Sequence, residues 1–261
     1  MLRIFFTLGA IALAAQGAWA DEWTKHWSVS GKPELHISAG DAAVVVEASN
    51  DHSIDAHITT VGWTIGPSGV RIEERQTGDK VQLDIKLPKT HWSMGRQSIK
   101  VEVKVPRELI GDLHTGDGSI VMRGLRGTLR ADTGDGSIRG EDLDGSLDAH
   151  SGDGSVHVEG RFDKLQLHTQ DGSIEAEVRD GSKLDGDWRI QTGDGSVHLR
   201  VPKSLAADLE ARTGDGHISL SNLAAGSTTE RDEHTRAAKL NGGGPALLLR
   251  TGDGSITVSN L

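Results

Sequence analysis

The chain has no cysteine and no tyrosine, and its aromatic residues amount to only 3%. Without cysteine there is no disulfide framework, no thiolate metal centre and no thiol nucleophile. The shortage of aromatics argues against the exposed aromatics that sugar-degrading grooves commonly carry. Positive charge is also short, with 28 Lys+Arg against 38 Asp+Glu and a net charge of −10. That sign disfavours nucleic acid and anionic lipid as partners, since both need clustered cations.

Long apolar runs are missing too. The longest, Ile4–Ala15, follows Arg3 and precedes Ala18-Trp19-Ala20. It falls short of the ~20 residues a spanning helix requires. A basic start, a short apolar run and an A-x-A site make residues 1–20 a secretory leader, cleaved near Ala20. The expected product is periplasmic or extracellular, with no integral membrane span. No Cys follows the run, which excludes a lipoprotein anchor. Cleavage removes Arg3 and leaves 27 cations against 38 anions, a net charge of −11.

What the chain has in plenty is glycine, 34 residues, much of it in one phrase. Thr-Gly-Asp-Gly-Ser-Ile stands complete at Thr115–Ile120, Thr133–Ile138 and Thr251–Ile256. Variants stand at Ser151–Val156, Thr169–Ile174, Thr192–Val197 and Thr213–Ile218. The Thr/Ser positions 115, 133, 151 and 169 are spaced by 18, and insertions lengthen the later steps. A fixed period of this size is the mark of a repeat architecture.

Around each motif the apolar residues fall into rows. Leu113, Ala131, Ala149, Leu167, Ile190, Ala211 and Leu249 stand two residues before the Thr/Ser, and Ile120, Ile138, Val156, Ile174, Val197, Ile218 and Ile256 close the motif. A corner row is marked by Leu125, Leu143, Phe162, Leu205 and Leu223. Period-two alternation predicts short strands. No single coil can bury its apolar side, but stacked coils share a core. The expected fold is therefore all-β. It is a single-stranded parallel β-helix or β-solenoid over 110–261, right-handed by the general preference of parallel crossovers, with the Gly-rich stretch 226–244 as an inserted surface loop. Residues 21–109 alternate in the same way and read as an antiparallel, strand-rich N-terminal cap. That region holds one worn repeat, Ala39-Gly40-Asp41-Ala42-Ala43-Val44, and the tryptophans Trp23, Trp27, Trp63 and Trp92.

Two sets of residues are candidate sites. Stacking would align Asp117, Asp135, Asp153, Asp171, Asp194, Asp215 and Asp253 in one column about 5 Å apart. Hard cations favour such oxygens, so calcium is a possible ligand. The simpler reading is turn chemistry, with Asp bonding the N–H two residues on and the glycines at positive φ. The second set is an outward row with His114, Asp132, His150 and His168, residues able to ligate a divalent metal. A straight ladder converges poorly on a tetrahedron, which favours a plain polar face. The recurring serines suit structure better than nucleophilic catalysis, because no base and orienting acid accompany them. No catalytic residue and no required cofactor is implied.

The Gly118-Ser119-Ile120 type of rung resembles the bacterial adhesin-like family of β-strand repeats, the domain labelled DUF4097. So do Val105-Pro106 and Val201-Pro202 leading into a rung, and the run Leu240-Asn241-Gly242-Gly243-Gly244-Pro245 before the final one. The resemblance implies an exported, non-enzymatic, adhesin-like module of the cell envelope, whose partner would be an envelope protein or glycan. The alternatives are a polysaccharide-active β-helix enzyme, which would need a groove of non-repeating charged residues, and a calcium-stabilised surface binding protein.

Overall fold

The computed structural model describes residues 20–88, 97–223 and 225–261. The leader expected at 1–20 lies outside them except for Ala20, and so does Trp92. Among the described residues the chain is all strand and turn, with no helix.

Twenty-one strands among these residues build two faces. The first seven are β1 (Ala20–Ser28), β2 (Glu34–Ser38), β3 (Ala43–Ser49), β4 (Ser53–Val61), β5 (Arg71–Thr77), β6 (Lys80–Lys86) and β7 (Ser98–Pro106). The repeat region begins with β8 (Glu108–Thr115), β9 (Ile120–Arg123), β10 (Arg126–Thr133), β11 (Ile138–Ser151), β12 (Val156–Thr169) and β13 (Ile174–Val178). It continues with β14 (Trp188–Thr192), β15 (Val197–Val201), β16 (Ala207–Thr213) and β17 (Ile218–Ser221). Last come β18 (Ala225–Asp232), β19 (Thr235–Leu240), β20 (Ala246–Thr251) and β21 (Ile256–Asn260).

One face runs β5, β6, β2, β8, β10, the second half of β11, the second half of β12, β14, β20, β16, β19, β18. The other runs β1, β4, β7, β3, β9, the first half of β11, the first half of β12, β13, β15, β21, β17. The middle of both faces is parallel and in register, Thr115 against Thr133 against Ser151 against Thr169. Antiparallel strands finish the stack: β5, β4 and β1 at one end, β19 and β18 at the other. The architecture is therefore solenoid-like with mixed strands, rather than the purely parallel coil that the repeat region alone suggested. At the first end the two faces meet, because Lys25 Nζ and Trp27 Nε1 on β1 donate to Glu74 on β5 at 2.8 and 3.1 Å. The sheet is thereby nearly closed, by side chains rather than by a strand pairing between β1 and β5.

Packing follows the sequence rows. Leu113, Ala131, Ala149, Leu167, Ile190, Ala211 and Leu249 are buried, as are the motif-closing Ile and Val residues. Phe162 and Trp188 lie in the core, and the Trp188 Nε1 donates to the Asp163 carbonyl at 3.0 Å. The worn motif stacks as a full one, with Ser38 against His114 and Val44 against Ile120.

Three expectations change. The order of coils along the stack is not the order in sequence. β2 and β3 lie between β6/β7 and β8/β9, and β20 and β21 lie between β14/β15 and β16/β17. Repeats of equal register stack equally well in either order, so the sequence pattern is silent on this. Second, the stretch 226–244, expected as a loop, carries most of the hairpin β18–β19, which pairs with β16. Its alternation is too weak to register as strands. Third, the glycines of the seven motifs are not at positive φ. They are needed because backbones touch. A Cβ on Gly136 would sit 2.0 Å from the Gly118 carbonyl oxygen, and one on Gly154 would sit 2.0 Å from that of Gly136.

Candidate functional site

The Thr/Ser column points inward and is buried. Thr133 Oγ1 donates to the carbonyls of Gly116 and Gly118 at 3.0 and 2.8 Å and accepts from the Gly136 N–H at 3.3 Å. Thr169 repeats this with Gly152 and Gly154, both at 2.9 Å. Each hydroxyl therefore clips its own arc to the one beside it. The glycines allow the arcs close enough for that bond.

The motif carboxylates face outward. Asp117, Asp135, Asp153, Asp171, Asp194, Asp215 and Asp253 are all exposed. Asp41 of the worn motif joins the column, its Oδ1 lying 2.5 Å from where a Cβ on Gly116 would stand. Among the described residues none of these seven motif carboxylates accepts a hydrogen bond, including the turn bond expected from the N–H two residues on. The glycine contacts and the Thr hydroxyls hold the arc instead.

The outward histidine row is also displayed. It runs Ser38, His114, Asp132, His150, His168, Gln191, Arg250, Arg212. His114 Nδ1 lies 3.1 Å from Asp132 Oδ1. The His150 and His168 rings stack 4.9 Å apart, 8° from parallel. Burial, and then the neighbouring His150, lower the pKa of His168. Among the described residues no three His, Asp or Glu side chains form a metal-binding group.

The feature the sequence did not reveal is a groove of about 720 Å³ on β1, β4, β7 and β3. Two outward rows cross it. One is Thr24, His57, Glu102, Val45 and the other His26, Asp55, Lys104, Glu47. The second row continues into Arg123 and Glu141, so charges alternate in sign across the strands. His26 Nδ1 lies 2.6 Å from Asp55 Oδ1, Arg123 reaches Glu47 at 2.6 Å and Glu141 at 3.0 Å, and Lys100 reaches Glu102 at 2.7 Å. Burial alone would raise the Asp55 carboxyl, but hydrogen bonds from Ser53 and His26 outweigh it and leave the pKa lowered. The period-two alternation in 43–49, 53–61 and 98–106 marks these side chains as outward. Only the non-sequential pairing puts them side by side.

A second polar cluster lines the corner where the faces join. Arg179 reaches Asp142 at 2.7 Å and also pairs with Glu159, while Arg107 reaches Asp142 at 3.0 Å. Asp144 is held by Arg161 at 2.5 Å and Arg126 at 2.7 Å. Its partial burial raises the pKa, but those arginines more than offset this and the net shift is downward. Asp142 turns the corner at φ 52.

The stacked arcs, the clipped hydroxyl column and the paired faces define an all-β repeat protein of solenoid-like form. The Toastrack DUF4097 family model matches residues 126–259, just over half of the chain, and the chain belongs to that family. No curated protein matches it. Similar solved structures include a putative adhesin from Bacteroides fragilis, 16% identical, covering 92% of this chain and 97% of that one at a TM-score of 0.46. A putative adhesin from Parabacteroides merdae is 14% identical over 92% of this chain and 96% of that one, at a TM-score of 0.47. A putative lipid-binding protein from Parabacteroides distasonis is 14% identical over 92% and 97%, at 0.44. Among the described residues no helix is long and apolar enough to cross a membrane.

Proposed function

We propose that this protein is a non-enzymatic, exported interaction module of the cell envelope, and that the groove on β1, β4, β7 and β3 is its binding face. One observation carries the reading: the groove carboxylates Glu47 and Glu102 each pair with a cation, and Asp55 is held by hydrogen bonds with His26 and Ser53. A glycosidase needs a carboxylic acid with a raised pKa beside a second carboxylate. Asp55 is shifted the other way. The groove does hold non-repeating charges, the feature that would favour a polysaccharide-active enzyme, but it sets them as ion pairs rather than as an acid and a base. Its partner is a polar macromolecule of the envelope, protein or glycan. Right-handed winding of the coils is part of the same reading, on the general preference of parallel crossovers.

The test is capture from envelope extracts with the natural chain and with Lys104→Glu, which reverses one charge of the ladder. Retention by the natural chain and loss by the variant support the groove as the binding face. Release of new reducing ends from envelope polysaccharide would replace this reading with the enzyme.

A further inference from the structure

The last coil of the chain is an interior layer of the stack. β20 and β21 fill a slot whose walls are β14/β15 and β16/β17. Leu247, Leu249, Ile256 and Val258 are fully buried in it. Thr251 Oγ1 donates to the Gly195 carbonyl at 2.7 Å on one wall, and Thr213 Oγ1 of the other wall donates to the Gly254 carbonyl at 2.8 Å. All that the slot recognises is therefore carried by residues 246–261.

The chain enters the slot through Asn241-Gly242-Gly243-Gly244-Pro245. Three successive residues there are left-handed, with φ of 46, 87 and 91 at Asn241, Gly242 and Gly243. Asn241 Nδ2 donates to the Leu205 carbonyl at 2.9 Å and latches the turn shut. The two glycines turn this way at no steric cost, so an extended backbone would relieve only Asn241, the one non-glycine of the three. The hairpin β18–β19 stays with β16 through its own pairing, so the turn can open without disturbing it.

We propose that residues 246–261 exchange between copies, the terminal coil of a second chain filling the slot of the first and the reverse. Every slot contact is the same whichever chain supplies the coil. Only the hinge and the entropy of association differ, so protein concentration sets the balance.

His198 on β15 and Thr257 on β21 are partners across one slot wall. The chain has no cysteine, so each can be changed alone. His198→Cys and Thr257→Cys chains are mixed unfolded, refolded together at rising concentration and treated with a short thiol cross-linker. The expected product is a covalent dimer whose linking peptide joins positions 198 and 257, with a share that rises with concentration. A double variant that links only within one chain, with no 198–257 link between mixed chains, overturns the proposal. So does the absence of any 198–257 link, since the terminal coil would then not occupy the slot. The natural chain and Gly242→Val, refolded without cross-linker, give an independent reading by size exclusion with light scattering. A Cβ at Gly242 meets open space, so only its backbone angle opposes the closed hinge. Each exchanged dimer opens two hinges, so the dimerisation constant should rise roughly a hundredfold in Gly242→Val. Monomer alone for the natural chain at every concentration overturns the proposal, whether or not that variant folds.

Discussion

Thr133→Val replaces one buried hydroxyl by a methyl of nearly the same shape. The hydroxyl proton is shared between two carbonyls. Gly116 O keeps a second donor, the Gly134 N–H, when the hydroxyl is lost. Gly118 O loses the Thr133 hydroxyl, and the Gly136 N–H loses the hydroxyl oxygen it donates to. The net loss of the hydrogen bond is about 1 kcal/mol, and a buried polar group left without a partner adds about 1–3 kcal/mol. The extra buried methyl returns about 0.8 kcal/mol. The expected destabilisation is about 1–3 kcal/mol, or a Tm lowered by about 2–12 °C for a chain of this size. Thr133→Ser keeps the hydroxyl and loses only a methyl, for about 1 kcal/mol. Ser151 already fills the column in this way, donating to Gly136 O at 2.9 Å. Urea unfolding followed by tryptophan fluorescence, to which buried Trp27 and Trp188 contribute, ranks the three chains. The urea midpoint should fall at constant slope in the order natural, Ser, Val. A Val chain as stable as the Ser chain would refute the clipping role of the column.

Gly136→Ala pushes a Cβ to 2.0 Å from a neighbouring carbonyl oxygen and should cost about 3 kcal/mol or more. Gly186→Ala, at φ 94 with open space around it, should cost only about 1–2 kcal/mol; equal losses in thermal melts would mean stacking distance is not what selects glycine in the arc. Folding holds the His168 pKa below 6.5. The folded chain therefore takes up that proton less readily than the unfolded chain, and stability present above 6.5 is lost as the pH falls through it. His168→Gln should flatten the fall in Tm between about pH 7.5 and about 5.5; an unchanged slope counts against this. The exposed aspartate column repels itself by about 1 kcal/mol per neighbouring pair before screening. Either divalent ion screens that repulsion alike at equal ionic strength, so calcium should raise Tm no more than magnesium, and a calcium-specific rise in a melting series would instead assign the column a bound ion.

Much of the fold was legible because its core rows are local. Leu113, Thr115 and Ile120 carry their inward parity in the sequence, and the 18-residue step places Ala131, Thr133 and Ile138 directly beside them. Ala131 is smaller than Leu113, yet it keeps the same inward place and is as fully buried. The inward Thr/Ser column follows from the same parity. The groove was not legible, because His57, Glu102 and Val45 meet only through pairings between segments far apart in the chain. Nothing in a repeat specifies which copy is its neighbour when all copies share one register. The glycines mislead for a related reason: Asp-Gly is a strong turn signal, and the close approach of Gly118 to Gly136 becomes visible only once the coils are stacked.

The interleaving of β2/β3 and β20/β21 has a consequence for the order of events during synthesis. A repeat rod stacked in sequence order can grow coil by coil as the chain appears. Here β2 and β3 have no neighbour on either side until β6 to β9 have been made. The layer between β15 and β17 waits for β21, made after both of its walls. Contacts so distant in sequence slow folding, because long loops must close before they are rewarded. An early stop therefore leaves a gap inside the stack rather than a shorter rod, and the layers β2/β3 and β20/β21 act as keystones between walls that other coils build.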